Sequence, residues 1–137
     1  MRVLFLCVGN SCRSQMAEGL LNKMGKGEFQ SYSAGSKPEK KVNRYAIGVM
    51  AELGVDISSK NPKHISEFNN QSFEYVFTIC GKEEETCPVF LGQAKYYINR
   101  PFDDPALFKG TEEETLGYYR EIRDKIKSML IECFKLI

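Results

Sequence analysis

RVLFLCVGNSCRSQMAEGLLNKM, residues 2–24, is the stretch whose reading decides the fold. Residues 2–8 are an apolar, β-rich run ending in Gly9-Asn10-Ser11, the pattern of a buried strand that enters a loop. From Ser14 onward Met16, Ala17, Leu20, Leu21 and Met24 recur at helical spacing and stop at Gly25-Lys26-Gly27. The opening unit is therefore strand, short loop, helix.

Working outward, residues 29–34 read as a second short strand closed by Gly35-Ser36-Lys37-Pro38, and Ala46, Ile47, Val49, Met50 and Leu53 carry a helical pattern to Gly54. Polar residues around Pro62 predict a loop with one helical turn near residues 64–68. Residues 75–80 form a third buried strand and residues 95–98 a fourth. Thr111 with Glu114 three residues on is a capping box. Behind it Leu116, Tyr119, Ile122, Ile126, Met129, Leu130 and Cys133 draw an apolar stripe. Strands alternating with helices predict an α/β fold: a single domain over residues 1–137, a three-layer sandwich whose four-stranded parallel sheet is flanked by helices. Neither an internal repeat nor a dividing linker interrupts it.

The 137 residues, 42% of them hydrophobic, suffice for one core. Nineteen Lys and Arg against 18 Asp and Glu leave a net charge of +1 with no long basic run, so no nucleic acid or membrane partner is expected and any anion must be held locally. No apolar stretch approaches the roughly 20 residues of a membrane span. The short apolar start lacks the form of a secretory signal. Five cysteines, an odd number in a chain that needs no staples, argue for the cytoplasm and for thiols that stay reduced or act as reagents.

In an open α/β sheet ligands collect at the carboxyl ends of the strands, where Val8, Gly9, Asn10, Ser11, Cys12, Arg13 and Ser14 lie. Amides of such a loop can form a nest, and the helix that follows adds its positive end, so a tetrahedral oxyanion finds donors on most sides. The same groups would stabilise Cys7 as a thiolate, the nucleophilic form. Arg13, five residues on, presents a planar fork to two oxyanion oxygens, and Ser14 can donate to the Cys7 sulfur. In isolation a C-x5-R spacing would be an ordinary core thiol and a solvated arginine. The strand before it, the helix after it and the Gly, Asn and Ser between favour the functional reading.

The run CVGNSCRSQMAEG (7–19), with Ser31-Tyr32-Ser33-Ala34-Gly35 and Phe102-Asp103-Asp104-Pro105-Ala106, closely resembles the low-molecular-weight protein tyrosine phosphatase superfamily, and within it the thioredoxin-coupled arsenate reductases. The resemblance covers nearly the whole chain. It implies a low-molecular-weight phosphatase-like fold and reduction of arsenate to arsenite, with phosphate or sulfate as competing oxyanions. It further implies a relay in which Cys7 attacks arsenate, Cys80 attacks Cys7, and Cys87 attacks Cys80. The resulting Cys80–Cys87 disulfide would be reduced by thioredoxin or a similar dithiol protein. Asp104 stands in the position of the family's general acid. The alternative is phosphotyrosine hydrolysis through a phosphocysteine, which has no use for Cys80 and Cys87. Ala106 replaces the tyrosine that commonly follows Asp-Pro in the phosphatases and favours a small inorganic oxyanion.

Six residues separate Cys80 from Cys87, more than the spacing of a zinc knuckle, and the one histidine, His64, is distant and reads as a loop or surface residue. Cys12 is expected to be a structural or back-up thiol and Cys133 a core residue. Some relatives hold potassium through residues matching Asn10, Glu18 and Ser33. Here Lys63 is expected to supply an ammonium in its place, so no bound metal and no tightly bound cofactor are predicted. The protein is expected to be a monomer.

Overall fold

The computed structural model describes residues 1–80 and 88–136. Four strands, β1 (Arg2–Cys7), β2 (Gln30–Gly35), β3 (Ser72–Cys80) and β4 (Gln93–Phe102), form one sheet in the order β2-β1-β3-β4, with every neighbouring pair parallel. The inner strand β1 is covered on both faces, which is why its sequence is continuously apolar rather than alternating.

Side-chain alternation sorts the interior into two cores. Val3, Phe5, Cys7, Phe77 and Ile79 face α1 (Arg13–Met24), α2 (Arg44–Ala51) and α3 (Glu112–Phe134). Leu4, Leu6, Phe73 and Val76 face the other way, onto a 3-10 turn (Ile65–Phe68) and Phe90. The sheet is thus the middle of three layers: helices on one side, a thin layer of short turn and loop on the other.

Local chemistry explains the helix starts. Asn43 caps α2, its Oδ1 accepting from the amides of Tyr45 (2.8 Å) and Ala46 (3.3 Å). The capping box of α3 is fully formed, with Glu114 N donating to Thr111 Oγ1 (3.1 Å) and Thr111 N donating to Glu114 Oε1 (2.9 Å). Arg123 joins α3 to α2 by donating to Val49 O and Glu52 Oε1, both at 2.8 Å.

The strand expected at 95–98 extends over Gln93–Phe102. It is an edge strand with mostly exposed or half-exposed side chains, so only its middle carries an apolar signal. Thr78 pairs with Asn99 but Cys80 with Phe102, so β4 carries one extra residue near the carboxyl end. Pro101 falls in that irregular stretch, where no ladder amide is required. Among the described residues no helix is long and apolar enough to cross a membrane.

Candidate active site

Cys7 ends β1, almost fully buried, and residues 8–12 curl from it into the first turn of α1. The carbonyls of this loop are tied away from its centre: Val8 O, Gly9 O and Ser11 O accept from the backbone amides of Lys37 (2.9 Å), Glu39 (2.8 Å) and Asn43 (2.9 Å). Asn10 O accepts from Gln15 Nε2 at 3.2 Å. In a trans peptide unit the C=O and N–H point in opposite directions. Fastening these four carbonyls outward therefore turns the amides of Gly9, Asn10, Ser11 and Cys12 inward. Asn10 N indeed donates to Cys7 Sγ at 3.2 Å. Asn10 makes the turn at φ 52°, a left-handed conformation that Asn tolerates better than most residues. Together with the α1 N-terminus the loop forms a cavity of about 230 Å³, whose mouth is edged by Lys37, Glu39, Asp104 and Ala106.

Behind the loop, Gly35 cannot be replaced without movement, because a Cβ there would lie 2.3 Å from Val8 O and 3.1 Å from Asn10 N. Gly35 N also donates to Lys63 O at 2.8 Å, bringing the 60–63 segment against the loop.

A directed chain of hydrogen bonds ends on the Cys7 sulfur. Asn10 Oδ1 accepts from Lys63 N (2.8 Å) and Gln15 Nε2 (3.2 Å), which fixes the amide with its Nδ2 toward Ser14 Oγ (2.7 Å). With an amide proton directed at its oxygen, Ser14 is set to give its own hydroxyl proton to Cys7 Sγ, 2.8 Å away. The Gln15 Nε2 group also reaches Asn61 O (3.3 Å), while Gln15 Oε1, fully buried, has no partner among the described residues.

Arg13 is buried to 3% exposure at the start of α1, its NH1 donating to Phe102 O at 2.9 Å and its NH2 lying 3.7 Å from Asp104 Oδ2. The extra residue of β4 carries Phe102 O into this position. Asp104 Oδ1 accepts from Ala106 N at 3.0 Å, capping a 3-10 turn (Pro105–Leu107), so Oδ2 is the oxygen turned to Arg13.

The cysteines separate by environment. Cys12 sits under the loop, 3.8 Å from Tyr119 Oη and 3.7 Å from Ser11 Oγ, and burial pushes its thiol up to about 12, so it stays protonated and is no nucleophile at neutral pH. Cys133 is half-buried on α3, and burial raises its thiol as well. Cys7, Cys12 and Cys133 are free thiols, whereas Cys80 is disulfide-bonded. Cys80 is fully buried at the end of β3, the strand beside β1, where Leu6 pairs with Thr78. The relay expected of Cys87 lies outside the described residues. His64 is an exposed residue whose Nδ1 accepts from Ser66 N at 3.0 Å, a helix-turn cap and not part of the cavity.

The expectation that Lys63 supplies an ammonium beside Glu18 is corrected. Lys63 Nζ donates to Asn61 O at 3.1 Å, and it is Lys60 Nζ that lies 3.4 Å from Glu18 Oε2. Glu18 Oε1 accepts from Ser33 Oγ at 2.6 Å. Asn10 Oδ1 is already shared by two N–H donors. With these oxygens facing donors and an ammonium in place, the residues do not fit a potassium ion. Sequence reading passed over Lys60, Gln15 and the mouth residues Lys37 and Glu39. Only the Lys-rich run 60–63 hinted at the first.

A family model of the low molecular weight phosphotyrosine protein phosphatases matches residues 2–137. The chain is 41% identical over 124 residues to an arsenate reductase of Halalkalibacterium halodurans, covering 90% of this chain and 88% of that protein. To an arsenate reductase of Bacillus subtilis it is 38% identical over 130 residues, covering 95% and 92%. A solved arsenate reductase in the phosphate-binding state superposes with a TM-score of 0.79 at 30% identity, covering 96% of this chain and 95% of that one. The anion-shaped loop, the parallel sheet that carries it and these matches agree: the chain belongs to the low molecular weight phosphotyrosine protein phosphatase family.

Proposed function

We propose that this protein reduces arsenate to arsenite by a thiol relay. The observation that carries the reading is the pairing of a free Cys7 inside an amide-lined cavity with a disulfide-bonded Cys80 at the end of the adjacent strand. Similarity to arsenate reductases over most of the chain supports it.

Arsenate enters with its oxygens on the amides of residues 9–12 and on Arg13, which must swing its fork from Phe102 O toward the ligand. The Cys7 thiolate, held by Ser14 and the Asn10 amide, attacks arsenic. An As–S bond forms, and one arsenic-bound oxygen leaves as water, with Asp104 delivering the proton. Cys80 as thiolate then attacks Cys7 Sγ. The S–S bond forms as the As–S bond breaks, its electron pair stays on arsenic, and arsenic departs as arsenite. Attack of Cys87 on Cys80 returns Cys7 to the thiolate, and a thioredoxin-like dithiol reduces the Cys80–Cys87 disulfide. No tightly bound cofactor takes part, since the two electrons travel through sulfur.

The mouth residues Lys37, Glu39 and Ala106 supply no ring to grip a phosphotyrosine, so hydrolysis of aryl phosphates is a weak side reaction of the same cavity. The test is NADPH consumption with thioredoxin, thioredoxin reductase and arsenate. Steady turnover that collapses in Cys87→Ser is the expected result. Absent turnover beside brisk aryl phosphate hydrolysis would make the protein a phosphatase.

A further inference from the structure

We propose that Lys60 is a positioning residue for the Cys7 thiolate, acting through the 60–63 segment and Ser14. The part of the functional reading it rests on is Cys7 as the nucleophile.

Glu18 is a buried carboxylate on the second turn of α1, and Lys60 Nζ is 3.4 Å from its Oε2. The Lys60 side chain is 42% exposed, and such a pair adds little to global stability. Its effect is local. Fastening Lys60 to α1 holds the three residues that follow it, and two of these touch the site through backbone atoms. Asn61 O accepts from Gln15 Nε2 (3.3 Å), and Lys63 N donates to Asn10 Oδ1 (2.8 Å). The Lys63 bond, together with that from Gln15 Nε2 to Asn10 Oδ1, sets which end of the Asn10 amide faces Ser14, and hence which way the Ser14 proton points, while the Asn61 bond holds Gln15 in place. Were Asn10 to rotate and present Oδ1 to Ser14, the hydroxyl would turn to donate there and Cys7 would lose a donor. The path from Lys60 to the sulfur thus consists of one ion pair, a short backbone tether and three hydrogen bonds, from Lys63 N to Asn10, from Asn10 to Ser14 and from Ser14 to Cys7, with no contact between Lys60 and the substrate.

The experiment measures alkylation of Cys7 by iodoacetamide at neutral pH, read by mass spectrometry on the tryptic peptide of residues 3–13, alongside the affinity for inorganic phosphate. Lys60→Met is expected to slow alkylation about tenfold, the loss of one hydrogen bond to a charged acceptor. Phosphate affinity should stay within about twofold, because the amides and Arg13 that bind the anion are untouched. Lys60→Arg should restore the rate. In a Ser14→Ala background Lys60→Met should have no further effect, since the path is already cut. Glu18→Gln, which keeps the Ser33 contact, should reproduce the slowing. The proposal is overturned by a wild-type rate in Lys60→Met, by undiminished slowing in the Ser14→Ala background, or by a parallel loss of phosphate binding. None of these readouts involves arsenate, so failure of the relay and failure of this proposal are separable.

Discussion

Gly35 shows how one missing side chain shapes a site it does not enter. A methyl group there would meet backbone, not a flexible tip, and the carbonyl it would strike belongs to Val8, the first peptide of the anion loop. Gly35→Ala is expected to displace the loop by about an ångström and to lower kcat/KM for arsenate by about a hundredfold, the scale of such misplacements. An unchanged value would show that the loop can yield. Cys12 offers a thermodynamic test. Its folded-state value near 12 lies above the ordinary thiol value of 9.0, so the native state retains a proton that the unfolded chain gives up as pH rises past 9. Stability from this residue is complete below that point and is lost between pH 9 and about 12, by about 1.4 kcal/mol per unit at most. Urea unfolding across that window should show a shallower decline in Cys12→Ala than in the wild type. In the sequence Cys7 stands apart from Cys12 by its place at the end of a strand, five residues before Arg13. Both are buried, and their surroundings supply the physical reason: Ser14 Oγ and Asn10 N converge on the Cys7 sulfur, whereas Cys12 meets only the hydroxyls of Ser11 and Tyr119 at 3.7 and 3.8 Å.

At the scale of elements, patterns with local causes were legible and those with distant causes were not. The strand–loop–helix unit of residues 2–24 and the capping box at Thr111 are written in neighbouring residues, and both appear where expected. The capping box should be worth about 1 kcal/mol, so Thr111→Ala is expected to lower the urea midpoint while leaving arsenate turnover unaltered. A drop in turnover would mean that α3 couples to the site. The ends of β4 were missed because an edge strand with half-wet faces has no continuous apolar run, and its irregular pairing near Pro101 depends on β3. The expectation of a Lys63 ammonium failed for a similar reason. In a loop three residues change direction entirely, and only the contact with α1 decides which ammonium reaches Glu18.

At the scale of the whole molecule, binding the anion and reducing it should be separable functions. Cys80→Ser retains the cavity, Arg13 and Asp104, so it is expected to keep its phosphate affinity and its weak aryl phosphatase activity while losing repeated arsenate turnover. Retained turnover in this variant would eliminate the relay. The division has a counterpart in the architecture. All three long helices lie on the face of the sheet that carries Cys7, whereas the other face is covered, among the described residues, by one short turn and a loop anchored by Phe90. Hydrogen exchange should therefore proceed at two tempos, with amides of β1 and α1 opening only on global unfolding and those of residues 65–68 and 88–92 opening far sooner. In such a molecule local opening costs least on the thin side, while the receptacle for the anion shares the stability of the helices behind it.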